Sequence, residues 1–173
     1  MPDDLDETFG VLRGAERIEE WENGRSPLSL SSLDTELAQR LAELSRIVQS
    51  NLLKPAARTQ SYIWAVTEDG SIKISVEELS IRQPEATFSG YPRRRGYKHP
   101  SEDKKLGHPT LLDGQKARIA GELAFDEKEG GLHWVLNASS GRYCRHMPPS
   151  EKQIQNVAAR FLELGVDVSV DLD

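Results

Sequence analysis

The side chains best suited to chemistry in this chain gather between Gly107 and Tyr143: His108, Glu122, Asn137, Ser140 and Arg142. Imidazole titrates near neutral pH and a carboxylate can orient it, so His108 and Glu122 with the Ser140 hydroxyl would suit acid–base work. The turn Asn137-Ala138-Ser139-Ser140-Gly141 is rich in side chains that bond their own backbone. Its clustered N–H groups could hold an anion, with Arg142 adding charge. Each feature also has a structural reading: His108 can pin its own turn between Gly107 and Pro109 by hydrogen bonds, and Asn137 to Tyr143 can be a rigid corner linking strand to helix. Convergence of His108, Glu122, Ser140 and Arg142 on one cleft with room for a ligand would favour an enzyme. A flat surface with His108 and Asn137 fully hydrogen-bonded inside would favour a binding protein.

A second group lies upstream, where residues 83–110 lose periodicity and fill with Pro, Gly and charge. Long irregular connections in compact domains tend to be functional or mobile. Arg93, Arg94, Arg95, Lys98, Lys104 and Lys105 supply cations here, and Tyr91 and Tyr97 supply stacking groups, as in a loop that binds phosphate or acidic partners. The plainer reading is a solvated loop whose arginines pair with Glu85, Glu102 and Asp103. Cys144 beside Arg145 and His146 raises a nucleophile, since nearby cations lower a thiol's pKa, against an incidental thiol. Glu122 with Arg118 could serve ADP-ribosyltransferase-like chemistry, but the chain lacks a Glu-x-Glu or Gln-x-Glu ending. No zinc, phosphate-loop or dinucleotide fingerprint is present, so neither metal nor cofactor is expected.

These residues need elements to hold them. Asp34 reads as a helix N-cap ahead of Leu37, Leu41, Leu44, Ile47 and Val48 at helical spacing, which predicts a helix to about Leu52, stopped by Pro55. Ser61–Val66 and Ile72–Val76 flank Glu68-Asp69-Gly70-Ser71 and predict a hairpin. Ala117–Phe125 and Leu132–Leu136 flank Glu129-Gly130-Gly131 and predict a second. Ser150 with Gln153 forms a capping box for a helix that buries Ile154, Val157, Ala158, Phe161 and Leu162 and ends at Gly165. Val166–Leu172 alternates as a strand. The expected class is α+β: a largely antiparallel sheet of two hairpins plus a C-terminal strand, with helices on one face. Residues 1–32, with a short amphipathic piece at Val11–Trp21, are expected to form a weakly structured arm. Residues 33–173 are expected to form one domain carrying the long basic loop at 83–110.

Composition narrows the classes further. At 173 residues, with 37% hydrophobic and 29% charged residues, the chain can build a real core and should fold. No apolar run is long enough for a membrane span, and the acidic start MPDDLDETFG is unlike a signal peptide, which points to the cytoplasm. The single cysteine rules out an internal disulfide and a Cys-rich zinc site. A net charge of −6 argues against general nucleic-acid binding and is compatible with neutralising a basic partner.

His108-Pro109-Thr110-Leu111, Asp113-Gly114, Ala120-Gly121-Glu122-Leu123, Ser140-Gly141-Arg142-Tyr143, Pro149, and Phe161-Leu162 before Gly165-Val166-Asp167 carry a resemblance. They resemble the C-terminal conserved module of plant IQ-motif calmodulin-binding proteins and similar modules of bacterial polymorphic-toxin-like proteins. The upstream calmodulin-binding helix of the plant family has no counterpart here, so calmodulin is not implied, and Arg142 stands where the plant pattern tends to have histidine. The resemblance implies a small cytoplasmic bacterial protein that works by binding a protein partner, as a component or partner of a toxin system. Recognition would use Arg93, Arg94, Arg95, Lys98, Asn137 and Tyr143. The alternative is a toxin-like enzyme acting on a nucleotide or nucleic acid, ADP-ribosyltransferase-like or a hydrolase, through His108, Glu122, Ser140 and Arg142.

Overall fold

The computed structural model describes residues 4–83 and 86–173. A short helix, α1 (Asp4–Phe9), is followed by irregular chain, a 3-10 turn at Glu20–Glu22 and a two-residue strand, β1 (Ser31–Ser32). Asp34 then caps α2 (Thr35–Ile47), its carboxylate accepting the Leu37 N–H at 2.8 Å. The helix ends at Ile47, short of the expected Leu52. Pro55 does not stop it but sits in the first turn of α3 (Lys54–Arg58), where a missing N–H costs nothing.

Both expected hairpins form. β2 (Ser61–Val66) pairs antiparallel with β3 (Ile72–Val76), and β7 (Ile119–Lys128) pairs antiparallel with β8 (Gly131–Asn137). Glu129 and Gly130 have positive φ of 47° and 83°, the backbone that tight hairpin turns with the right twist demand. Ser150 and Gln153 cap α4 (Glu151–Glu163) reciprocally. The final strand, β9 (Val168–Val170), runs parallel to β8 at the sheet edge.

The fold is α+β, built on a six-stranded sheet in the order β1-β3-β2-β7-β8-β9. Between its hairpins the chain makes a second, three-stranded sheet from β4 (Glu78–Gln83), β5 (Ala86–Pro92) and β6 (Lys104–Lys105). Register and alternation put Trp64, Gly121, Leu123, Phe125, Leu136 and Trp134 on one face of the large sheet. There α2 packs, and the Trp134 indole donates to the Leu41 carbonyl at 3.1 Å. Trp134 stacks on Phe125 with ring centroids 3.7 Å apart, and burying Phe125 alone contributes roughly 1.5–3 kcal/mol. The opposite face carries Ser61, Ile63, Ser75 and Glu122. Glu77 joins that side one step past β3, its N–H donating to the Ser61 carbonyl at 2.8 Å.

Two stretches differ from the sequence reading. The region at 83–110 is not an unbroken loop, because β5, β6 and a 3-10 turn at His108–Leu111 lie inside it. Over residues 4–32 the expected weak arm is tied to the rest of the chain. Phe9 and Glu22 are buried, Arg13 bridges Ala117, Ser31 pairs with Ile74, and the Asn156 amide donates to the Thr8 carbonyl at 2.9 Å. The piece at Val11–Trp21 is no α-helix: Arg13 exchanges both backbone hydrogen bonds with Ala117, just ahead of β7, which removes it from any helical ladder, Val11 and Ile18 are exposed, and only Glu20 and Trp21 join the 3-10 turn. Among the described residues no helix is long and apolar enough to cross a membrane.

Candidate functional site

Glu122 and Asn137 lie on the sheet face opposite α2, and His108 and the turn after β8 pack beside Gly121 and Ala120. Pro109 opens the 3-10 turn at His108, and the Thr110 hydroxyl donates to the Gly107 carbonyl at 2.7 Å. The buried His108 ring thereby donates its Nε2–H to the Gly121 carbonyl at 2.8 Å. Burial pushes its pKa below the usual value, against the weaker opposing pull of the Gly121 bond and of Glu77. A folded-state pKa below the unfolded value of about 6.5 means that the unfolded chain binds the extra proton, so this contribution to stability falls as pH drops below about 6.5. The thermal midpoint of the wild type should therefore drop further than that of His108→Gln between pH 7 and pH 5.5. Parallel slopes would show that the ring does not titrate differently on unfolding.

Asn137 ends β8 by using its side chain as a strand substitute, its Oδ1 accepting the Glu122 N–H at 3.1 Å and the Ser139 N–H at 2.9 Å. Glu122 projects beside it, and burial first, then the nearby Glu77 charge, push its carboxyl pKa up. Glu77 is only 3% exposed at its side chain and holds Arg93 at 2.9 Å and Lys105 at 3.1 Å. Arg142 grips a carboxylate that is 0% exposed, Glu22, through both guanidinium ends at 2.8 and 3.1 Å. The N–H of Gly107 reaches the same carboxylate at 3.0 Å. Ser140 is buried, its hydroxyl accepting the Tyr143 N–H at 3.3 Å. Tyr143 is buried too, donates its hydroxyl to the Gln115 carbonyl at 2.8 Å, and has its pKa pushed up to about 12 by burial. Cys144 is buried with its thiol toward the Ala120 carbonyl at 3.3 Å, and burial raises its pKa, the reverse of an activated nucleophile.

Of the acid–base candidates, Glu122 and Ser140 line one open depression of about 400 Å³, together with Ala138, Ser139, Gly141, Cys144 and Arg145. His108 and Arg142 are not among its lining residues. In the basic stretch Arg93 is committed to Glu77, and Arg95 donates to the Phe125 carbonyl at 3.3 Å with Asp126 at 3.7 Å. These are not the acidic partners expected for the loop, of which Glu85 lies outside the described residues. Arg94 and Lys98 are exposed, the former with its guanidinium 6.0 Å from the Tyr97 ring centre, and the Lys104 ammonium lies 5.2 Å from that of Trp21. Tyr91 and Tyr97 are exposed as well. Among the described residues no group of His, Cys, Asp and Glu could hold a metal ion.

Sequence reasoning missed Glu77 and Glu22. Extending the alternation of Lys73 and Ser75 by one step would have placed Glu77 on this face; Glu22 carried no local signal. No family model, curated protein or solved structure matches the chain.

Proposed function

We propose that this protein works by binding a protein partner, through the basic and aromatic surface around Arg94, Tyr97, Lys98, Lys104, Tyr91 and Trp21. The observation that carries the reading is the commitment of the reactive candidates to the fold: His108 to Gly121, Arg142 to Glu22, Arg93 to Glu77, Cys144 to Ala120. On the loop Arg94, Tyr97, Lys98, Lys104 and Tyr91 stay open to solvent, a set of cations and rings that suits recognition more than turnover. In a chain of net charge −6 this local positive surface fits a partner that presents acidic side chains. The resemblance to modules of bacterial polymorphic-toxin-like proteins supports a cytoplasmic role as component or partner of a toxin system.

The test is expression of the wild type and of Arg94→Glu/Lys98→Glu in a bacterium, with growth and copurifying protein recorded. A stoichiometric partner held by the wild type and lost by at least about tenfold in the charge-reversed variant is the expected result, since interfacial like charges cost several kcal/mol. Both sites are exposed, so thermal midpoints should agree within a degree or two. Growth arrest by the wild type, relieved by Glu122→Ala/Ser140→Ala and not by the loop variant, would replace this reading with the toxin-like enzyme.

A further inference from the structure

Large aliphatic side chains are left in solvent together at one place. Where α2 gives way to α3, Ile47, Leu52 and Leu53 are 47%, 84% and 39% exposed. Beside them lies an open groove of about 220 Å³. Its walls include Ile47 from the end of α2, Leu53 and Ala56 around α3, and Tyr62 and Phe125 from the strands beneath. Clustered apolar surface marks an interaction site, whereas exposed leucines scattered singly need no explanation. The Tyr62 hydroxyl has no hydrogen-bond partner among the described residues, so a donor stands free beside apolar walls.

The basic loop is fastened to this groove. Arg94 forms an antiparallel bridge with Gln60, which also lines the groove, and the Arg95 N–H donates to the Thr59 carbonyl at 2.9 Å. The Arg95 guanidinium donates to the carbonyl of Phe125 at 3.3 Å. Lys54 and Arg58 stand on α3 itself. Arg58 and Arg95 have acidic neighbours, Glu127 at 3.8 Å and Asp126 at 3.7 Å, but Lys54 and Arg94 have none within salt-bridge distance among the described residues. The groove edge is therefore cationic in a chain whose net charge is −6.

We infer that the groove takes one large apolar side chain from an acidic segment of the protein partner, with the segment's flanking carboxylates meeting Arg94 and Lys54. The inference rests on the recognition surface proposed above and says which part of a partner that surface holds. Burying the apolar anchor supplies affinity, and the charges around it select the segment. The Tyr62 hydroxyl is placed to donate to a backbone carbonyl of the segment. Basic and apolar side chains together also suit an anionic bilayer, but these walls are concave and Asp126 and Glu127 accompany the cations. The chain's own Asp171-Leu172-Asp173 has the same character, with Leu172 exposed, yet one leucine and two acids bury too little for a stable pair of copies.

The probe is the peptide acetyl-Asp-Glu-Glu-Phe-Asp-Glu-amide, titrated into the full chain while backbone amide resonances of residues 47–60 and 94–97 are followed. Comparisons are the peptide with Ser for Phe, the peptide with Asn and Gln for its acids, and the Ala56→Arg protein. Ala56 is exposed, so that variant should keep its thermal midpoint within a degree or two while adding a cation and obstructing the groove. Expected are saturable shifts with the first peptide, weaker by about tenfold or more with either altered peptide and in Ala56→Arg. Absence of saturation, or equal binding by the Ser peptide or by Ala56→Arg, would overturn the groove as the anchor site. Equal binding by the Asn/Gln peptide would overturn the acidic chemistry. Cosedimentation with vesicles of phosphatidylcholine and phosphatidylserine in about equal parts, lost in Ala56→Arg, would replace the segment with a membrane surface. A dimer in gel filtration that Ala56→Arg dissociates would replace it with a second copy. If the peptide fails and Ala56→Arg retains the copurified partner while Arg94→Glu/Lys98→Glu releases it, this inference falls and the recognition surface stands.

Discussion

Arg142→Ala should lower the unfolding free energy by about 3–5 kcal/mol, the range for removing one partner of a buried ion pair. The Glu22 carboxylate, 0% exposed beside Arg142, would be left with only the Gly107 and Glu19 N–H groups as donors. Urea titration measures the effect as a fall in midpoint at unchanged slope. Arg142→Lys should recover only part of the loss, because an ammonium cannot bond Glu22 through two parallel N–H groups while also donating to the Arg17 carbonyl, as Arg142 does at 2.9 Å. A loss under 1 kcal/mol would mean that the pair is solvated in solution.

Gly121→Ala should cost about 3 kcal/mol, at the upper end for overpacking a core. A Cβ at residue 121 would lie 2.7 Å from Cζ2 of the Trp64 ring and 2.8 Å from the Ala138 Cα, and would run into the Asn137 carbonyl. Two of those obstacles are backbone atoms and cannot rotate away. Relief would require β8 to part from β7 where Asn137 closes the ladder, so His108 should also lose its acceptor geometry at the Gly121 carbonyl. Gly141→Ala is the matched control, since a Cβ there meets nothing within 4 Å. It should change stability by no more than about 0.5 kcal/mol. Equal effects at the two glycines would show that β8 shifts at little cost.

Features set by near neighbours in the chain could be read directly. The Asp34 cap, the Ser150–Gln153 box and the two hairpins each rest on a few adjacent residues whose hydrogen bonds are local. Features set by distant partners could not. β5 and β6 both pair with β4, whose own ladder has a register shift between Leu79 and Ile81, so residues 83–110 read as loop and β4 just before them went unassigned. The insertion of that small sheet between the hairpins also hides the pairing of β2 with β7. At the site, residue types chosen for their chemistry proved to sit near one another, but their partners came from elsewhere. Arg142 was visible as a cation, while the carboxylate that occupies it lies 120 positions earlier, in the stretch 1–32 expected to be a weakly structured arm. His108 was placed in its own turn by Pro109, yet its acceptor is a strand carbonyl that no side-chain pattern announces.

The tie between Glu22 and Arg142 also sets an order of events during synthesis. Glu22 leaves the ribosome 120 residues before the guanidinium that neutralises it, an interval on the order of ten seconds at ordinary elongation rates. Throughout that interval its carboxylate must remain hydrated, and the segment carrying it cannot close over Gly107. Docking of this early segment is therefore expected as a late step that waits for the turn after β8. Slowing elongation between β3 and that turn would lengthen the exposure of the unclosed segment, and proteases acting on nascent chains should cut there first.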